Sequence, residues 1–241
     1  MKLLKILLLT IFSFTFAFAA LAQDSNFTDA ELMEMSQALD NTSGDYYLSS
    51  QSRDVKGDPY FNSDWLKGKV QITEKAETEE LLLRLNIADN ILEFTRGEKV
   101  YLMNSGKIKG FTFFAQPENI VFKNGFKSED HDIKPSTFVR IMYDGNVKMI
   151  AHYSSSLKKN IPTYGSANIK DEYVDDTEYF IIDESGSYHD VKLKKRHILR
   201  TLEKDLRDQV EEFADQQNLD FGEEQDLDNI LAHYDQLKSG S

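Results

Sequence analysis

Residues 81–103 read LLLRLNIADNILEFTRGEKVYLM, and this stretch decides the fold class. Leu81 to Ile87, Ile91 to Thr95 and Lys99 to Met103 are three short β-type runs. Between them sit Asp89-Asn90 and Arg96-Gly97-Glu98, residue types that tolerate the backbone angles of tight hairpin turns. The stretch predicts antiparallel strands joined hairpin to hairpin.

The same pattern extends outward on both sides. Trp65 to Ile72 begins it, and Ile108 to Phe114, Ile120 to Lys123, Phe138 to Tyr143, Val147 to Leu157, Glu178 to Ile182 and Tyr188 to Leu193 continue it. Asn104-Ser105-Gly106, Asn124-Gly125, Asp144-Gly145 and Glu184-Ser185-Gly186-Ser187 supply the turns. Many short strands spaced by about 8–12 residues predict a mainly β (α+β) fold. Its architecture is an antiparallel meander over residues 57–195 that forms a curved sheet, a sandwich or a barrel. No long helical pattern interrupts it, which excludes a doubly wound α/β sheet.

Near Arg196 the period changes. Ile198, Leu199, Leu202, Leu206, Val210 and Phe213 recur at three- and four-residue steps and predict one amphipathic helix. Asn218-Leu219-Asp220-Phe221-Gly222 breaks it. Leu227, Ile230, Leu231, Tyr234 and Leu237 then predict a second helix, with Glu223 and Glu224 suited to its N-terminus. Residues 196–238 thus read as a C-terminal helical hairpin whose apolar faces pack on the β region.

Residues 1–22 read as a signal peptide: Lys2 and Lys5, an apolar run from Ile6 to Ala20, and small residues at Ala20 and Ala22. The expected location is therefore periplasmic or extracellular. The remaining 219 residues carry 26 basic and 41 acidic groups, net −15, and contain no further membrane-spanning stretch. Residues 23–56 form an entry segment in which Thr28-Asp29-Ala30-Glu31 predicts the start of a short helix.

The whole chain of 241 residues has a net charge of −13, 40% hydrophobic residues, 12% aromatics and no cysteine. A disordered chain would lack those aromatics. Without a thiol there is no disulfide scaffold, zinc–thiolate site, iron–sulfur cluster or cysteine nucleophile. A pI near 4.8 argues against nucleic-acid binding.

No constellation for catalysis emerges. The five histidines, His131, His152, His189, His197 and His233, form no helical zinc pair. Ser154-Ser155-Ser156 and Ser185-Gly186-Ser187 are not the elbow of a serine hydrolase, and the latter reads as a hairpin loop. His131 lies among acids in Ser128-Glu129-Asp130-His131-Asp132, which reads as a solvated loop, and Asp171-Glu172 and Asp175-Asp176 read as a solvated connection. The basic run Lys192, Lys194, Lys195, Arg196 and Arg200 abuts residues 201–238, which hold twelve acids against three basic groups, so internal charge complementarity is expected. No catalytic residue, metal or cofactor is called for. Tyr60 and Trp65, in the aromatic group Tyr46, Tyr47, Tyr60, Phe61 and Trp65, are the candidate ligand-binding residues.

Gly57-Asp58-Pro59-Tyr60-Phe61-Asn62 with Trp65-Leu66-Lys67-Gly68-Lys69-Val70, then Leu83-Arg84-Leu85-Asn86, Leu92-Glu93-Phe94, Tyr143-Asp144-Gly145 and the closing Leu227-Asp228-Asn229-Ile230-Leu231-Ala232-His233-Tyr234 form a recurring pattern. It resembles a group of exported proteins from Bacteroidetes-type bacteria over about Gly57 to Leu237. The resemblance implies a mainly β region followed by terminal helices, and it carries over no activity and no site residues. The leading expectation is an exported, non-enzymatic binding or interaction protein for a protein partner or a small apolar or glycan ligand. The alternatives are a cell-envelope hydrolase with an unrecognised site and a structural or assembly factor of the envelope.

Overall fold

The computed structural model describes residues 36–38, 55–103, 105–159 and 171–240. The expected signal peptide and both extremities of the entry helix lie outside them. Among the described residues thirteen strands form one sheet: β1 (Ser36–Ala38), β2 (Val55–Lys56), β3 (Leu66–Thr73), β4 (Ala76–Glu77), β5 (Leu81–Asn86), β6 (Ile91–Arg96), β7 (Lys99–Met103), β8 (Gly110–Phe113), β9 (Ile120–Lys123), β10 (Val139–Asp144), β11 (Lys148–Lys158), β12 (Asp171–Ile182) and β13 (Tyr188–Val191). The order is β1-β7-β6-β5-β3-β8-β9-β10-β11-β12-β13, with β4 on β3 and β2 on β12. The sheet has two ends and is not a closed barrel. Among the described residues all pairs are antiparallel except β2 with β12.

From β5 to β13 consecutive strands pair except at the step from β7 to β8. After β7 the chain returns to lay β8 against the far side of β3, so Leu66–Gly68 pairs with β5 while Gly68–Gln71 pairs with β8. Gly68 serves both neighbours. A β-carbon there would sit 2.2 Å from the Thr112 carbonyl oxygen and 2.9 Å from Leu83 Cδ1, so only glycine lets three strands meet.

Alternation along the strands sorts the side chains. Leu81, Leu83 and Leu85 are buried on the inner face with Val70, Leu92 and Phe94, whereas Leu82 faces out and is 41% exposed. Phe111, Phe113, Phe122 and Phe138 complete this core, their ring centroids about 5–6 Å apart in stacked and edge-on contacts. Phe61 enters from the segment ahead of β3 and packs edge-on against Phe122 and Tyr153. The inner face of this half is filled by rings. A smaller cluster of Ile133, Val139, Ile150, Phe180 and Ile182 occupies the outer face.

The helices cover the inner face beyond β10. Met149, Ile181, Val191, Ile198, Val210, Leu227, Ile230, Leu231 and Tyr234 share their core. The single first helix expected from the apolar stripe is two helices, α1 (Lys195–Thr201) and α2 (Arg207–Gln217), separated by a 3-10 turn at Lys204–Leu206. Arg207 explains the break: its guanidinium donates to the carbonyls of Arg200 and Leu202, taking over acceptors that a continuous helix would use. Asn218 ends α2 in the left-handed conformation, with φ of 56°. The last helix, α3 (Glu224–Ser239), matches the second stripe.

Two further expectations change. Ser36–Ala38, within the segment expected to hold a short helix, is a strand on β7. These three residues lack the apolar stripe that would hold a helix to the core, and the open edge of β7 supplies backbone partners instead. The acids expected in a solvated connection lie in β12, paired with β11: Asp175 accepts from Ser155 at 2.6 Å, and Glu172 pairs with Lys56 at 2.6 Å. Polar partners on neighbouring strands make an acidic run compatible with a ladder.

Candidate functional site

The site is built by an irregularity in β10. Ile141 pairs with Ile150, but Tyr143 pairs with Met149, so Met142 is an extra residue on the β10 side. This bulge places Arg140 and Tyr143, three residues apart, on the same face, the one that meets the helices. Each then reaches a carboxylate of α3.

Arg140 Nη1 donates to Tyr153 Oη at 3.2 Å and to Glu224 Oε2 at 2.5 Å, while the Tyr179 hydroxyl donates to Glu224 Oε1 at 2.6 Å. Tyr153 packs against the ring-filled core and Tyr179 against the helical core, so this network is the seam between the two. Burial alone would depress Arg140, but Tyr153 and then Glu224 more than offset it and hold the guanidinium charged. Burial, then Glu224, pushes the Tyr179 hydroxyl far up, and burial likewise raises Tyr153. Neither phenol is poised to act as a base near neutral pH.

At the other end of α3, Asp235 Oδ2 accepts from Tyr143 Oη at 2.6 Å and from the Asn146 amide at 2.7 Å. Burial, then Asp235, raises the Tyr143 hydroxyl well above the usual phenol range. The two carboxylates anchor α3 to the sheet.

Beside the seam opens a cleft of about 560 Å³. Its walls are residues 115–120, Arg140 to Met142 of β10, Tyr179, Leu193, Gly222 and Glu223, and Glu224, Gln225 and Asp228 of α3. Ile120, Met142 and Leu193 contribute apolar side chains, while that of Ile141 packs on the outer-face cluster. Gln116, Asn119 and Gln225 contribute amides, and Glu118, Glu223 and Asp228 contribute acids. Burial, then the nearby charge of Glu118, raises the Asp228 carboxyl above its ordinary value.

Tyr60 and Trp65 lie elsewhere, on the outer face, and the structure brings them together around Arg84. The guanidinium sits 3.9 Å from the Tyr60 ring centroid and 4.3 Å from that of Trp65. Its Nε and Nη2 donate to Glu93 Oε2 at 3.1 and 2.8 Å, and Glu93 is only 1% exposed. Backbone bonds from Phe61 to Leu85 and from Ile87 to Pro59 fix Tyr60 at the end of β5. The two rings flank a guanidinium that neutralises a buried carboxylate, and neither lines the cleft.

The other singled-out residues are distributed as follows. His131 packs its ring on Phe180, with centroids 4.7 Å apart, and His233 stacks on Phe213 at 3.9 Å. His152 Nδ1 lies 3.3 Å from Glu178, across the β11–β12 pair. Ser185 and Ser187 belong to the hairpin turn after β12, where Asp183 accepts from both of their amides and contacts His189 Nε2 at 2.7 Å. Lys195 of the basic run bridges Glu211 and Asp215 of α2 at 3.0 and 3.4 Å. Among the described residues no three His, Asp or Glu side chains gather as a metal site, and no helix is long and apolar enough to cross a membrane.

The sequence reading missed Arg140, Glu118, Glu224 and Asp228 as site residues. A lone arginine inside the apolar run Phe138 to Tyr143 was the available signal, because a cation there requires a partner from another element. No family model, curated protein or solved structure matches the chain.

Proposed function

We propose that the protein is an exported, non-enzymatic binding module whose ligand site is the cleft beside the Arg140–Glu224 seam, and that its ligand is a hydroxyl-rich molecule of the glycan class. The observation that carries this reading is the lining: three side-chain amides and several carboxylates, from residues 115–120 and the start of α3, together with the apolar Ile120, Met142 and Leu193. Planar amides and carboxylates match the donor and acceptor pairs of adjacent sugar hydroxyls, and the apolar side chains suit a pyranose face. An acyl chain would strip water from those polar groups without replacing their hydrogen bonds. The ring-filled inner face supports the same choice, since the space an apolar ligand would take is occupied by Phe61 and its neighbours.

The assignment as a binder rests on the arrangement of the titratable groups. Arg140, Tyr153, Tyr179 and Glu224 satisfy one another, leaving no activated nucleophile beside a base. One observation favours the hydrolase reading: Glu118 and Asp228 are two carboxyls in one cleft, one of them raised by burial and by the other's charge. Calorimetric titration with soluble envelope glycan fragments separates the two. The binding reading expects saturable binding, ligand recovered intact, and roughly tenfold weaker affinity in Gln225→Ala and Asp228→Ala. Cleavage of the glycan that is lost in Asp228→Asn would establish the hydrolase instead.

A further inference from the structure

The seam uses only part of the Arg140 guanidinium. Nη1 makes both of its bonds, to Tyr153 Oη and to Glu224 Oε2. Among the described residues Nε and Nη2 have no hydrogen-bond partner, yet neither is closed off. The only buried side-chain nitrogen or oxygen without a partner among those residues is Asp235 Oδ1. The Arg140 side chain is 23% exposed and lines the cleft, so the cleft is where these two nitrogens meet solvent.

Nε and Nη2 lie on one edge of a rigid plane and donate side by side. Arg84 grips Glu93 with the same edge, through Nε and Nη2. At Arg140 the edge is empty but held: Glu224 and Tyr153 fix Nη1, and Tyr153 is itself packed against the ring-filled core. A group that binds there meets donors already in place.

The surroundings decide what this edge can take. A guanidinium only donates, so its occupant accepts two bonds side by side: a carboxylate, a phosphate or two neighbouring hydroxyl oxygens. Among the described residues Arg140 is the one cation lining the cleft, and Glu224 already matches its charge. Glu118, Glu223 and Asp228 add three more acids, and Asp228 feels the charge of Glu118. An anionic ligand would meet all three as like charges. A hydroxyl that accepts from the guanidinium keeps a proton of its own, and these carboxylates are acceptors for it.

We propose that the Nε–Nη2 edge of Arg140 is the ligand-facing fork of the cleft, that it binds two neighbouring hydroxyls of an uncharged sugar, and that the site thereby rejects acidic glycans. This rests on the reading of the cleft as a glycan site and names the residue and the sugar substituents that decide which glycan enters.

The test is an NMR titration of the isotopically labelled protein with the uncharged fraction of soluble envelope glycan fragments, followed at the Arg140 Nε–Hε signal. The expected result is a saturable shift of that signal with the same midpoint as the backbone amides of Asn119 and Gln225. The uronate-bearing fraction binds about tenfold more weakly or not at all. Arg140→Lys keeps a cation beside Glu224 but lacks the fork, and it stays folded by circular dichroism while its affinity for the uncharged fraction falls about tenfold. Amide shifts at Asn119 and Gln225 with an unmoved Arg140 Nε–Hε signal overturn this proposal and leave the cleft as the glycan site. So does a uronate-bearing fraction that binds as tightly as the uncharged one, or a folded Arg140→Lys that binds like the parent. No shift at any residue with either fraction overturns the cleft reading as well.

Discussion

The Tyr143 hydroxyl donates to Asp235 Oδ2 at 2.6 Å across 92 residues of sequence, joining the β10–β11 hairpin to the last helix. Gly145 makes this possible. A β-carbon at that position would lie 2.1 Å from Asp235 Oδ2 and 2.4 Å from Tyr143 Oη. Gly145→Ala is expected to cost about 1–3 kcal/mol by overpacking. Asp235→Ala alone costs about 1–2 kcal/mol, from the donors it strands. In the Asp235→Ala background the Gly145→Ala penalty shrinks, because the obstructing carboxylate has gone. Denaturant unfolding of the four proteins in a double-mutant cycle measures that coupling.

Arg84 binds a carboxylate that is almost fully buried and lies against the chain's single tryptophan. Arg84→Met leaves the Glu93 carboxylate without its guanidinium and is expected to destabilise by about 3 kcal/mol. Trp65→Ala removes ring contact and cation–π attraction but not the ion pair, so it costs less, about 1 kcal/mol. Tryptophan emission reports the first variant directly. Unfolding at a lower denaturant midpoint with an altered folded-state spectrum is the expected outcome.

Asp183 accepts four hydrogen bonds in the β12–β13 turn, and Ser185, then His189, hold its carboxyl well below the ordinary carboxylate range. Because the folded state favours the ionised form, its contribution is complete above the ordinary value of 3.8 and fades as pH falls through and below it. Asp183→Asn is therefore expected to lower the melting temperature at pH 7, with a stability loss of about 1 kcal/mol. The gap between variant and parent closes toward pH 2. Thermal melts at both pH values check the sign.

Asp228 has the opposite sign. Burial and Glu118 raise its carboxyl, so the folded state favours the protonated form, and ionisation as pH rises through the raised value costs stability. Asp228→Asn is expected to stabilise the protein at pH 7, by about 0.5 kcal/mol, and to make no difference near pH 3. Parallel melts of Glu118→Gln should show a gain of the same sign, since removing either charge relieves the other.

The strands were legible because alternation and turn residues act locally. Leu81, Leu83 and Leu85 declare one buried face, and Gly97 marks the hairpin that follows. The return of the chain to place β8 beside β3 was not legible, because strand order is set by tertiary pairing that neither strand encodes alone. The break at Leu202 was hidden for a related reason: the apolar stripe continues through it, and the residue that ends α1 is Arg207, five positions on. The seam was the least legible part. Arg140 and Glu224 are 84 residues apart, and only the bulge at Met142 turns Arg140 and Tyr143 to the same side. Tyr60 and Trp65 drew notice as aromatics, yet the group that explains them is a buried carboxylate on β6.

The most direct test of the central claim is an amide NMR titration of the isotopically labelled protein with soluble envelope glycan fragments. The account predicts saturable shift changes centred on Asn119, Arg140, Gln225 and Asp228, with the amides of Tyr60 and Trp65 unmoved. Shifts centred on Tyr60 and Trp65, or no shift at any residue at the highest glycan concentration reached, would contradict it.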